Sequence, residues 1–215
     1  MISALAGLLA GSLHVLSGPD HLAAVAPLAV DVRRRAWITG LRWGTGHAAG
    51  VVFVGILSLL MRGLLPLESI SHWCERLVGV LLIAVGCWGI RKAMRIHAHE
   101  HNHDGKQHVH LHVHGKGSPE RLHNHTAFGI GTLHGLAGSS HFLGVLPAMA
   151  FENVSDAIIY LSAFGVGSIA AMTLFSSAIA TLAVRFSLRT VVGYRTMMYA
   201  CSGTAVVVGS YWLFV

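Results

Sequence analysis

Charge is the scarcest commodity in this chain. Only 11% of its 215 residues are Asp, Glu, Lys or Arg, where about 25% is usual for a soluble domain. The mean hydropathy is +0.62. That shortage excludes an ordinary soluble domain. Cysteine is also sparse. Cys74, Cys87 and Cys201 stand far apart and form no C-x-x-C, so a thiol-redox carrier is poorly supported and the three read as small packing residues. Asp and Glu together number nine, and beyond Asp20 none lies near the histidine motif described below. A metalloenzyme would need an open coordination position and a separate general base, so an enzyme is not expected. The N-terminus has no basic stretch before its apolar run and no small-residue cleavage site. It reads as a retained first helix rather than a removed signal peptide.

What is abundant is apolar sequence, 53% of residues, grouped in runs of about 20 or more, long enough to cross a hydrocarbon core. Six spans are expected, at 2–30, 36–62, 73–95, 126–150, 154–184 and 191–214. The formal charge of +6 does not point to nucleic acid, because the basic residues lie between the apolar runs. Arg33, Arg34, Arg35, Arg91, Lys92, Arg95, Lys106, Lys116, Arg121, Arg185 and Arg189 fall in alternate connections, with only Arg62 and Arg76 opposite. The basic side is expected to be cytoplasmic, which places both termini outside and the segment between spans three and four in the cytosol.

The first apolar run holds His14, Asp20 and His21 within GSLHVLSGPDHLAAVAP, residues 11–27. Imidazoles and a carboxylate persist in hydrocarbon where they pair, bind an ion or line a polar path. In an unbroken helix the rings of His14 and His21 would stand about 10 Å apart. Gly18-Pro19 between them is expected to open the helix and bring them together. His47 follows on the next span, flanked by glycines in GTGHAAG. Imidazole nitrogens with one carboxylate suit Ni(II), Co(II) or Zn(II) and fit Ca or Mg poorly. The bland reading is that these polar groups only tie helices together.

Shifting the chain by 120 residues lays residues 11–30 over 131–150 with eight of twenty identical, among them His14/His134, His21/His141 and Pro27/Pro147. A shift of 121 lays Trp43-Gly44-Thr45-Gly46 over Phe164-Gly165-Val166-Gly167. Units of three spans must run oppositely through the bilayer, and inverted repeats are a transporter architecture. The second copy carries Ser140 for Asp20 and Ser168 for His47. His134 and His141 are therefore expected to form a weaker second gate or relay site. Between the halves, residues 96–125 hold ten of the sixteen histidines: His97, His99, His101, His103, His108, His110, His112, His114, His123 and His125. Their His-x-His alternation suits an extended or disordered chain that binds metal loosely at several places, not one helical face.

HVLSGPDH followed by GTGH, with LHGLAGSSHFLGVLPAMA later, resembles the nickel/cobalt transporter superfamily, especially its high-affinity nickel transport members. The better-known permeases of that superfamily have more spans and one residue fewer between the histidine and the Asp-His pair. The resemblance implies a polytopic permease in which His14, Asp20, His21 and His47 select and pass the ion.

The expectation is thus an all-α integral membrane protein of six helices in two inverted three-helix repeats, each opening on a broken helix. Residues 1–95 form the first repeat, 96–125 the cytoplasmic histidine loop and 126–215 the second. It would move Ni(II) or Co(II) across the plasma (inner) membrane without a prosthetic group, with cytosolic metallochaperones as candidate partners. The competing reading is a membrane-anchored metal buffer or sensor acting through the loop.

Overall fold

The computed structural model describes residues 1–32, 35–60, 67–103, 106–113, 120–137, 147–148, 150–187 and 191–214, of which 58–60, 67–72, 74, 96–103, 106–113, 120–125, 137 and 187 by backbone alone. Its elements are α1 (Ile2–Ser17), α2 (Pro19–Val32), α3 (Ala36–Leu60), α4 (Leu67–Arg95), β1 (Ile96–His103), β2 (Lys106–Val113), α5 (Glu120–Ala137), α6 (Val154–Ser187) and α7 (Val191–Phe214).

The first apolar run is two helices, α1 and α2, meeting at 72°. Proline has no N–H to continue α1, and its fixed φ suits the first turn of a new helix, where Pro19 stands. Gly18 has φ −85° and ψ 103°, extended backbone open to any residue. Its N–H closes on the His14 carbonyl at 3.1 Å. What requires glycine here is room. A Cβ at this position would run into His21 Nδ1 and lie 2.8 Å from Asp20 Oδ1.

Among the described residues, three helical stretches are long and apolar enough to cross a membrane, Glu75–Arg95, Val154–Phe186 and Val191–Phe214, and the bent α1–α2 pair makes a fourth if it counts as one span. Helix α3 has the length but carries Arg42 and His47. Large apolar side chains cover the outside: Leu5, Leu9 and Leu13 on α1, Phe53 on α3, Val166 and Leu174 on α6, Val207 and Phe214 on α7. The inside, by contrast, buries Asp20, His21, His47, His134, Ser168, Ser176 and Ser202. Apolar surface facing outward around a polar centre is the pattern of a chain solvated by lipid.

The largest helix contacts pair α1 with α6, α3 with α5, and α4 with α7. Two of these are built alike. A Cβ at Gly11 would collide with the backbone carbonyl of Phe164, and one at Gly131 with that of Trp43. Likewise Gly167 sits on the backbone of Leu8 and Ser12, as Gly46 does on that of Phe128 and Thr132. Small residues let the helix backbones approach, and without a hydrophobic drive between helices in lipid such packing carries much of the association.

Besides α4, which begins at Leu67 rather than 73, two features differ from expectation. Helix α5 begins at Glu120, so His123 and His125 belong to a helix and not to the loop. Its first turns are polar, and hydropathy alone does not register them, although Glu, Arg and Leu are good helix formers. Residues 96–103 and 106–113 form an antiparallel pair, β1 with β2, whose register sets His97 opposite His112, His99 opposite His110 and His101 opposite His108. A third feature was not foreseen. Lys92 Nζ on α4 pairs with Asp31 Oδ1 on α2 at 2.6 Å, and Tyr194 on α7 donates its hydroxyl to the same oxygen at 3.3 Å. This ties the far end of α2 to two other helices.

Candidate metal centre

The break at Gly18 turns the end of α1 and the start of α2 toward one point. His14 and His21, seven residues apart in sequence, have ring centroids 4.6 Å apart. An unbroken helix would have held them at about twice that distance. Asp20 follows Pro19 in the first turn of α2, where exposed backbone N–H groups favour a carboxylate. From α3, His47 reaches within 4.8 Å of the His21 ring and stacks at 5.8 Å on that of His14. From α5, His134 lies 4.7 Å from His21 and 5.8 Å from His47.

Asp20 joins two of these rings. Its Oδ1 is 2.8 Å from His21 Nδ1, and its Oδ2 is 3.1 Å from His134 Nε2. An ionised carboxylate only accepts, so both ring nitrogens are donors in this arrangement, and each neutral ring then keeps its lone pair on its other nitrogen. A carboxylate that fixes the tautomer and orientation of a histidine is the usual second-layer support of a metal-binding imidazole. Asp20, His21, His47 and His134 are all buried, at 3, 0, 0 and 1% exposure, whereas His14 is half-buried.

Ligand-type atoms of these residues fall into two triads, His14 with His21 and His47, and Asp20 with His21 and His134. Within each triad one such atom per residue lies within 4.8 Å of the others. A side-chain shift of about an ångström closes that spacing onto one ion, whose Ni, Co or Zn bonds to nitrogen are about 2 Å. One carboxylate among four imidazoles is a poor donor set for a hard oxygen-seeking cation such as Ca or Mg, which takes mostly oxygen ligands. The residues present therefore fit a borderline transition metal.

Two aromatic rings flank the cluster, and the motif reading passed over their part in it. Trp43 is fully buried, stacks on His47 at 5.1 Å and 18°, and stands 5.2 Å from His134 and 5.9 Å from His21. Phe164, its counterpart at a shift of 121, lies 5.5 Å from His14. The pairing of Trp43 with Phe164 in the repeat was the available signal; an aromatic residue in an apolar helix otherwise reads as packing.

The sequence set His134 apart with His141 as a second gate. The structure brings His134 into the same cluster as His21, because α5 packs lengthwise on α3 and carries the ring to Asp20. His141 and His114 lie outside the described residues. His97, His99, His101 and His103 stand on β1, and His108, His110 and His112 on β2, away from the buried cluster in sequence and in element. His123 and His125 stand near the start of α5. Where His47 would recur, Ser168 is buried and donates to the Phe164 carbonyl at 2.9 Å, with the Gly11 carbonyl at 3.3 Å. The second half thus has a helix-tying hydroxyl where the first has an imidazole.

A family model described as cytochrome C biogenesis protein transmembrane region matches residues 3–211. Two proteins of Arabidopsis thaliana, chloroplast proteins FOR GROWTH AND FERTILITY 2 and 1, are 34% and 35% identical to it, each over 80% of this chain and over 45% and 48% of their own lengths. The urease accessory protein UreH of Bacillus sp. (strain TB-90) is 27% identical over 80% of this chain and 74% of its own. The chain spans about half the length of the plant relatives it matches. No solved structure matches it.

Proposed function

Since the chain belongs to the family of the cytochrome c biogenesis protein transmembrane region, a multi-pass membrane fold, we propose that it uses that fold to carry a divalent transition-metal ion across a membrane, Ni(II) foremost and Co(II) next. The observation that carries the reading is the convergence of His14, Asp20, His21, His47 and His134, from four helices, on one buried point. Burying four imidazoles and a carboxylate in a lipid-facing bundle costs several kcal/mol unless an ion or a polar path uses them. The nickel/cobalt superfamily resemblance of HVLSGPDH and GTGH supports the same ion class, and one relative is named a urease accessory protein. The family description names cytochrome c biogenesis, but the chain has no C-x-x-C and no C-x-x-C-H, the sequences that thiol relay and haem attachment call for.

The rest of the reading follows from the chain's plan. Six spans form two inverted halves, 1–95 and 126–215, and the reciprocal seating of Gly11 on Phe164 and Gly131 on Trp43 supports that symmetry. The protein sits in the plasma (inner) membrane with both termini outside. The histidine segment collects or buffers metal in the cytosol, where metallochaperones exchange with it. It is not an enzyme and holds no prosthetic group; the metal is cargo.

The test is cellular nickel and cobalt content with and without expression, under metal limitation and excess. A rise on expression means import and a fall means export. No change, with the protein in the membrane, overturns the transport reading. The cross-strand setting of histidine against histidine in β1–β2 favours one competitor, a membrane-anchored buffer. Removing residues 97–118 distinguishes the two. A transporter keeps its flux with altered affinity, whereas a buffer loses its effect on cellular metal.

A further inference from the structure

Within the one cluster the ligand-type atoms form two overlapping triads, which differ in burial and in charge. His14, His21 and His47 form a triad of three imidazoles with one half-buried member; Asp20, His21 and His134 form a fully buried triad with a carboxylate. His21 is the one residue in both. It stands at the junction of the two helix halves, 4.6 Å from His14, 4.8 Å from His47 and 4.7 Å from His134 by ring centroid.

We infer that the centre is a two-station relay in which one ion at a time passes between the more accessible three-histidine station, whose His14 is half-buried, and the fully buried, occluded Asp20–His21–His134 station, with His21 as the pivot ligand. The inference rests on the transition-metal reading given above and adds to it the order of the ligands along the path.

Chemistry distinguishes the stations. Three neutral imidazoles compensate none of the ion's charge, so the accessible station binds and releases readily. The carboxylate of the occluded station neutralises part of that charge in a medium of low effective dielectric, where Coulomb attraction is several times stronger than in water. The two stations cannot be filled independently, because they share His21 and like charges at this spacing repel. Ligand exchange at the pivot is also balanced in protons. At the accessible station the ion takes His21 Nε2 while Nδ1–H donates to Asp20. At the occluded station the ion takes Nδ1, and the displaced proton passes to the vacated Nε2. His134 likewise gives up Nε2–H, which faces Asp20, and carries its proton on Nδ1. No net proton is lost.

A single symmetric cage would make the five ligands interchangeable, whereas the relay does not. The test uses the protein in proteoliposomes and in detergent, with Co(II) as the probe because its visible spectrum reports the donor set. With residues 97–118 removed, so that the histidine segment adds no Co(II) of its own, the otherwise wild-type protein is expected to bind one Co(II) at the centre and to pass it across the bilayer. His134→Gln is expected to keep Co(II) binding within about tenfold, the lower edge of what losing a supporting group costs, with an all-nitrogen spectrum and fast exchange, but to lose flux. His14→Gln is expected to lose flux as well, to bind Co(II) with a mixed nitrogen–carboxylate spectrum and to load and release it slowly. His21→Gln should lose both binding modes.

Identical spectra and identical exchange rates in monodisperse His14→Gln and His134→Gln proteins would overturn the relay, as would wild-type flux in either. Should a variant not fold, Asp20→Asn in the same background gives an independent reading. The relay requires it to remove the slow-exchanging mode and leave the fast one, and loss of both modes together would overturn it. Failure of wild type itself to bind or move Co(II) and Ni(II) overturns the transport reading instead, a result that none of the variant outcomes mimics.

Discussion

At the scale of single residues, the contrast between polar groups and their surroundings is what makes the centre readable. His14, Asp20, His21 and His47 stand out in apolar runs, where an unpaired polar group is costly, and they do converge. Gly18 was legible as a break but not for the right reason. Its backbone is ordinary, and its lack of a side chain is what leaves space for the His21–Asp20 contact. Gly18→Ala is therefore expected to preserve the bend and the fold while displacing the His21 ring, lowering Co(II) or Ni(II) affinity about 10–100-fold. Metal titration alongside a thermal unfolding curve of the purified protein checks this. A fall in unfolding midpoint with unchanged metal affinity would instead assign the glycine to the bend. Asp20→Asn keeps shape and removes charge. The amide oxygen still accepts from one imidazole, but its NH₂ meets the other as donor against donor, so one ring loses its orientation. Transport of radiolabelled nickel is expected to fall by at least about tenfold with insertion unchanged. His134 was set apart because motif spacing within a helix says nothing of which other helix it will face.

At the scale of elements, hydropathy marked where helices lie but not their bounds. It began the helix of the second half at 126, whereas α5 starts at Glu120, and it had no means of pairing β1 with β2, since an alternating histidine segment reads equally as extended or disordered chain. The repeat was the more informative signal, because it carried packing as well as chemistry. Gly11 and Gly131, equivalent at a shift of 120, each bring a helix backbone against the backbone of an equivalent aromatic residue, Phe164 or Trp43. Backbone atoms cannot step aside as a flexible side chain can. Gly11→Val and Gly131→Val are each expected to cost about 1–3 kcal/mol or more by overpacking, whereas Gly203→Val, where a Cβ meets nothing within 4 Å, is expected to be near neutral. Unfolding midpoints of the three purified variants, measured in one detergent, decide the matter. Equal loss at all three positions would remove the special role of the paired glycines. Losses at Gly11 and Gly131 should also reach the centre, since α1 carries His14 and α5 carries His134.

At the scale of the whole molecule, the reading turns on an even number of spans and an odd number per half. If 1–95 and 126–215 are inverted copies, connections that correspond between the halves must lie on opposite sides of the membrane, and the Lys and Arg excess places the histidine segment on the cytosolic side. Under that proposal a probe at Asn153, exposed just before α6, is expected to meet the outside, and one at position 105, between β1 and β2 in sequence, the cytosol. In a variant with Cys74, Cys87 and Cys201 replaced by serine, Asn153→Cys is expected to react with a membrane-impermeant maleimide on intact cells. Gly105→Cys is expected to react only after permeabilisation. Labelling of both from the same side would rule out the inverted plan, because the one span between them, 126–150, would not cross. A clean reversal would keep the inversion and turn the molecule over, placing the histidine segment where it meets metal before transport under import rather than after it. The outcome therefore bears on mechanism as well as topology. The accessible and occluded sides of the centre are set by which membrane face the break at Gly18 opens toward, and a bent helix with one half-buried histidine and one buried carboxylate cannot present the same station to both faces at once.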